Sequence, residues 1–366
     1  MVKCAFQIVL SLLRQDWTVI GRTPVEVDWE PAGEWCRFQG IRHGELSPVA
    51  PEVSVEIEPV RHEKLGEPWV GALQVTAQEE GGGRTTCTVP TGYFASVAQE
   101  ASATFVKNGA MEAGELFRYL VAAFPTETAS PGAVQPASRI EVRTVIPPLP
   151  LKESSLAAFM QRSVRFSQEA EDEIPAFVPR RVLDEAAVLT RQAGAMEAIG
   201  FLIGHLHRDP ATPELFLEVT ALLPARSVRS ELMKVTLTHA SWAAAEGAIK
   251  LRRRHEIMLG WFHSHSYMKE TCKDCRKVKD GSCKTNPAFM STEDCALHRT
   301  CFPRAYSIAL VVGDSPCTGL SYGLFGWHVG VLCQRNFMLL HDFDSLDSKT
   351  PEHAAAATGG QTDAAR

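Results

Sequence analysis

The chain has 366 residues, enough for about two domains with a core of ordinary size. Its 45% hydrophobic and 22% charged residues exclude a wholly disordered chain, a collagen-like fibre and a coiled-coil rod. With 37 Lys and Arg against 43 Asp and Glu the formal charge is −6, which gives no general reason to expect nucleic acid or a membrane surface as a partner.

Near the N-terminus an apolar stretch runs from Ala5 to Leu13. It is too short to span a bilayer, no small-residue cleavage site follows it, and it reads as a buried first strand. A cytoplasmic chain is therefore expected. Residues 1–125 read as a smaller α+β domain. Val25 and Val27, and then Val53, Val55 and Ile57, alternate with polar residues at the period of a half-buried strand. GALQVTAQE and EGGGRTTCTV predict a hairpin turning on Gly81, Gly82 and Gly83. Met111–Phe124 carries apolar residues at helical spacing and predicts a helix. No catalytic constellation is visible in this part.

Residues 126–153 are rich in proline, serine and alanine and predict an exposed linker with an extended PPLP stretch. A helix is expected from Ser154 to about Asp172, capped by Ser154 or Ser155. From about residue 176 to 340 the pattern alternates. A helix should begin at Pro179 and run through RRVLDEAAVLTRQAG, followed by strands in IGFLIGHLH and ELFLEVTALLPA. A helix from about His239 to His255 should lead into the strand IMLGWF; another helix should start near Ser291, and strands in YSIALVV and YGLFGWHVGVL should close the unit. Residues 343–366 lack periodicity and read as a disordered tail.

The chemistry is concentrated in three short pieces. His263-Ser264-His265 follows the strand IMLGWF, where alternate side chains share a face, so both imidazoles can meet one metal ion. Alone, two histidines on a strand are more often ordinary hydrogen-bonded residues. Ser291-Thr292-Glu293-Asp294 has the spacing of a helix capping box, yet a first-turn carboxylate can also supply an oxygen ligand. Glu197 lies at a helix-to-strand junction ahead of Gly200 and Gly204, small residues that permit close backbone approach. Taken singly, it reads as a solvated loop residue. Together, two histidines and an aspartate leave a fourth position open, which is the catalytic zinc pattern, and such a site needs a carboxylate to carry the proton.

The order E-x-x-G-x-x-x-G, GWFHSH and S-x-x-D closely resembles the JAMM metalloproteases, also called the MPN-plus or JAB family. The resemblance covers about 165 of the 366 residues. It implies a JAB/MPN (cytidine-deaminase-like) α/β metalloprotease domain over residues 154–342, preceded by the smaller α+β domain. It also implies a zinc isopeptidase acting on ubiquitin or ubiquitin-like proteins and their conjugates. On that resemblance His263, His265 and Asp294 hold the catalytic zinc, Glu197 is the general acid/base and Ser291 stabilises the oxyanion. Prokaryotic relatives trim precursor ubiquitin-like proteins or act within conjugation systems used in antiphage defence.

Two departures stand out. Ser266 replaces the family's usual proline, and 25 residues separate His265 from Ser291 where the family has seven, an insertion of 18 within residues 266–290. Of the chain's 10 cysteines, five (Cys272, Cys275, Cys283, Cys295, Cys301) fall within 30 residues here, as expected of a reduced chain binding metal. The spacing of Cys272, Cys275 and Cys283 suits a second, structural zinc, with Cys295, His298 or Cys301 as the fourth ligand. The plainer reading makes these thiols unpaired loop residues. An MPN scaffold or binding module with a structural zinc and no proteolytic activity is the alternative function. A nucleic-acid-binding zinc knuckle ranks last, because few aromatics beyond Tyr267 and Phe289 are present to stack bases.

Overall fold

In the computed structural model the described residues are 2–49, 52–126, 147–166, 174–194, 196–225, 228–231, 234–265, 286–315 and 319–341. They form a mixed α/β structure built mostly of strands.

The first part runs β1 (Val2–Cys4), β2 (Phe6–Leu13), β3 (Val19–Val25), α1 (Glu30–Arg42), β4 (Val53–His62), β5 (Gly66–Glu79), β6 (Arg84–Pro90), α2 (Ala95–Lys107) and β7 (Arg118–Pro125). Its seven-stranded sheet has the order β1-β4-β5-β7-β2-β3, with β6 added on β5. Val53, Val55 and Ile57 are buried as their alternation requires, and β5 and β6 make the expected hairpin.

The helix expected over Met111–Phe124 is not formed. Arg118–Pro125 is instead a strand of the sheet, paired with β2 from Leu13↔Arg118 to Phe6↔Pro125. An apolar run this short suits a buried strand as well as a helix, and periodicity cannot separate the two. The positive φ of Gly109 (72°) and Gly114 (84°) also breaks the backbone before it. The α1 helix escaped notice for a different reason. It buries a nearly unbroken run from Pro31 to Ile41, including Arg37 and Gln39, so it shows no single apolar stripe.

The second part begins with β8 (Leu151–Glu153), α3 (Leu156–Gln161), β9 (Ser163–Arg165), β10 (Ala176–Pro179), α4 (Arg180–Ala193), β11 (Ile199–Arg208) and β12 (Leu215–Pro224). It continues with β13 (Val228–Glu231), β14 (Lys234–Leu237), α5 (His239–Arg252), β15 (Ile257–His265), α6 (Thr292–Cys301), β16 (Ile308–Ser315), β17 (Gly319–His328), β18 (Val331–Arg335) and β19 (Met338–Leu340). A ten-stranded sheet orders these β18-β17-β16-β15-β11-β12-β10-β19-β9, with β8 on the far end of β11.

Three expectations need correction here. The helix after Ser154 is capped by Ser155, whose hydroxyl accepts from the Ala158 N–H, but it ends at Gln161, because Ser163–Arg165 pairs with β19. The end of the predicted linker is part of the fold: Leu149 is buried and Leu151–Glu153 pairs in parallel with β11. Residues 127–146, and the predicted tail 343–366, lie outside the described residues. YGLFGWHVGVL is two antiparallel strands, turning at Val329 and Gly330 with φ of 50° and 76°.

The two parts share one hydrophobic core. Helix α1 is the wedge between them. Trp35 meets His328 edge-on at 5.5 Å, and Arg42 pairs with Glu214 at 2.6 Å. The buried Glu34 carboxylate lies 3.6 Å from both Arg37 and Arg304 and accepts from the Ala305 N–H.

Candidate metal centre

The site sits where β15 leaves the middle of the large sheet. β11 pairs antiparallel on one side of it and β16 parallel on the other, with His263 opposite both Ile199 and Val311. The glycines ahead of it do the work expected of small residues. A Cβ on Gly200 would lie 2.7 Å from the Leu223 carbonyl oxygen, and one on Gly204 only 1.8 Å from that of Glu218.

His263 and His265 are 1% and 2% exposed and present their Nε2 atoms to each other at 3.1 Å. Ser291 begins α6 in a full capping box. Its hydroxyl accepts from the Asp294 N–H (3.1 Å), and Asp294 Oδ2 accepts from the Ser291 N–H (2.8 Å). The capping and ligand readings of this segment are therefore compatible, because the cap aims Asp294 at the histidines. Asp294 Oδ2 lies 3.2 Å from His263 Nε2 and 3.5 Å from His265 Nε2.

This triangle has the dimensions a metal ion requires. Ligand atoms at about 2.0–2.1 Å from a tetrahedral centre are about 3.3–3.4 Å apart, and the observed edges of 3.1, 3.2 and 3.5 Å bracket that value. The protonation states fit as well. His265 Nδ1–H donates to the Pro287 carbonyl at 2.8 Å, which leaves the Nε2 lone pair facing the centre. Pro287 can reach it because residue 313 is glycine; a Cβ there would sit 2.4 Å from Pro287 Cγ. Among the described residues this is the one group of three or more His, Cys, Asp or Glu side chains with converging ligand atoms.

Electrostatics separate the carboxylates. Burial raises Asp294, but hydrogen bonds from both histidines, the charge of His263 and the Ser291 N–H outweigh it and hold the group well below the carboxylate range. Burial lowers His263, whereas Asp294 and the Pro287 carbonyl raise His265 against the same effect. Glu197 goes the other way. Burial, reinforced by the charge of Asp294 and opposed by His265, pushes it up to about 7. Its backbone is anchored beside the ligands, since the Ala198 N–H donates to Ser264 Oγ (2.8 Å) and the Ser264 N–H to the Ala198 carbonyl (3.0 Å). A half-buried carboxylate that titrates near neutrality beside a histidine–aspartate triangle can serve as acid and base.

The second group of cysteines is only partly described. Cys272, Cys275 and Cys283 lie outside the described residues. Cys295 is half-buried and Cys301 exposed. His298 is fully buried and pushed down to about 3 by burial, and its Nδ1 accepts from the Trp261 indole N–H at 3.0 Å. Cys295, His298 and Cys301 do not converge with one another.

Sequence reasoning missed Trp261, Gly313 and Pro287. Trp261 had a signal, since it lies two residues before His263 and so shares its strand face. Pro287 had none; it acts through its carbonyl oxygen, a group every residue possesses.

No family model and no curated protein matches the sequence. Among solved structures, the solution structure of protein DSY2949 from Desulfitobacterium hafniense is similar at 19% identity and a TM-score of 0.32, over 46% of this chain and 96% of that one. No described helix is long and apolar enough to cross a membrane.

Proposed function

We propose that the protein is a zinc-dependent isopeptidase of the JAMM (JAB/MPN-plus) type, cleaving after the C-terminus of a ubiquitin or ubiquitin-like protein. The observation that carries the reading is the pairing of a metal-sized His263–His265–Asp294 triangle with a carboxylate, Glu197, raised to about 7 beside it. The substrate class rests on the E-x-x-G-x-x-x-G, GWFHSH and S-x-x-D order.

His263, His265 and Asp294 would hold a zinc ion, which would supply Lewis acidity at the scissile carbonyl and lower the pKa of water towards neutrality. Glu197 accepts that proton and returns it to the departing lysine amine, a double duty that suits a group titrating near the working pH. The Ser291 hydroxyl accepts from the Asp294 N–H, which leaves its own proton to donate to the oxyanion. Phe289, 38% exposed, packs its ring 4.7 Å from that of His265. Helix α6 lies in the crossover between the parallel strands β15 and β16, so the strand supplies the two histidines and the crossover helix the aspartate.

The test is Glu197→Gln assayed on ubiquitin-like conjugates, with metal content measured in parallel. Cleavage should fall at least about 100-fold while bound zinc is unchanged. Undiminished hydrolysis would overturn the assignment. Zinc without any hydrolysis in the wild type would favour an MPN binding module.

A further inference from the structure

The two histidine ligands are supported differently. His265 has the usual outer support, an Nδ1–H donated to a fixed carbonyl. His263 has none: its Nδ1 is buried and makes no hydrogen bond among the described residues. What holds its ring is Trp261, stacked on it at 4.5 Å between centroids and 12° between planes. Trp261 is in turn pinned by its indole N–H, which donates to His298 Nδ1 at 3.0 Å. His298 lies one turn beyond Asp294 on α6 and is fully buried, against Phe302 and Trp327.

We infer that His298 is a positioning residue for the metal centre: through Trp261 it fixes the His263 ring and ties the strand that carries His263 to the helix that carries Asp294. The inference rests on the metal reading of the triangle but not on any activity. Neither residue touches the ion. A single hydrogen bond between residues 37 positions apart sets the spacing of two ligand-bearing elements. Indole stacking replaces the hydrogen bond that His263 lacks. A low-polarity pocket strengthens this one polar link, because neither the indole N–H nor the imidazole can turn to water instead.

The probe is Co2+, followed by the part of its visible absorption that His263→Ala removes, in full-length protein checked for folding by circular dichroism. His298→Leu deletes the acceptor and should weaken Co2+ binding about tenfold, the loss typical of an outer support, with an altered ligand-field band. His298→Asn places an amide oxygen where Nδ1 was and should restore most of the affinity. Trp261→Phe keeps the stack and loses the N–H; it should match His298→Leu, and the double variant should be no worse than either. Wild-type affinity and spectrum in Trp261→Phe would overturn the inference even if His298→Leu failed to fold, as would fully additive losses in the double variant. Absence of the His263-dependent signal in the wild type would remove the metal reading itself, a failure separable from the first.

Discussion

A neutral histidine buried in a core should leave a measurable mark on stability as pH falls, and His298 is placed to show it. Its pKa is about 3 in the folded chain, against about 6.5 once unfolded. Between those values only the unfolded chain takes up a proton, so folded stability falls as pH drops below about 6.5. At pH 7.5 the effect is negligible. At pH 5.0 the 1.5-unit gap below the unfolded value costs about 2 kcal/mol. His298→Asn retains an acceptor for Trp261 and removes the titration. It should lose about 1–2 kcal/mol at pH 7.5 to the missing ring atoms, and that deficit should vanish by pH 5.0. His298→Leu should run parallel to His298→Asn but lower by about 1–3 kcal/mol, the cost of leaving a buried indole N–H unpaired. Urea midpoints of the three proteins in chelator, from pH 7.5 to 5.0, measure this directly. A wild type whose stability tracks His298→Asn in parallel across the range would refute a neutral, buried His298.

Mass spectrometry of the native protein should find bound zinc, and His263→Ala/His265→Ala should remove one ion per chain; an unchanged zinc content in that variant would overturn the triangle as the metal site. Gly313→Ala should displace Pro287, since the new methyl would fall 2.4 Å from its Cγ, and so free His265 Nδ1 and lower metal affinity about tenfold; isothermal titration reads it, and unchanged affinity would show that Pro287 does not orient His265. Trp35→Ala, at the 5%-exposed wedge of α1, should cost about 3–5 kcal/mol and lower both parts of the chain in a single unfolding transition, with residues 150–345 alone failing to fold; two separate transitions in calorimetry would contradict the shared core.

The elements around the candidate site were legible because each carries its own local code. Arg180–Ala193 is bounded by Pro179 and Gly194, His239–Arg252 starts at a Thr238 cap, Ile199–Arg208 and Ile257–His265 are apolar runs, and Ser291 with Asp294 spells a helix start that the structure shows atom for atom. That His263 and His265 share one strand face was readable from alternation alone. The first 125 residues were less legible. Arg118–Pro125 buries two adjacent residues, Val121 and Ala122, and so shows no alternation, and a helix buried on nearly all sides, like Glu30–Arg42, has no stripe.

What the sequence by itself determined, then, is which residues are chemically able to form the site: two histidines in step on a strand, an aspartate in a cap, and a glutamate before a glycine-spaced strand. Their convergence was decided by tertiary structure alone. Only the pairing of β15 with β11 and β16, and the seating of α6 across it, brings three ligand atoms to within 4.8 Å of one another. The shift of Glu197 to about 7 has the same origin, because desolvation and neighbouring charge are properties of the packed site that no local stretch of sequence contains. The supports of the ligands, a carbonyl at Pro287 and an indole N–H shared with His298, are contacts over 22 and 37 residues, set by which surfaces meet once the core has closed.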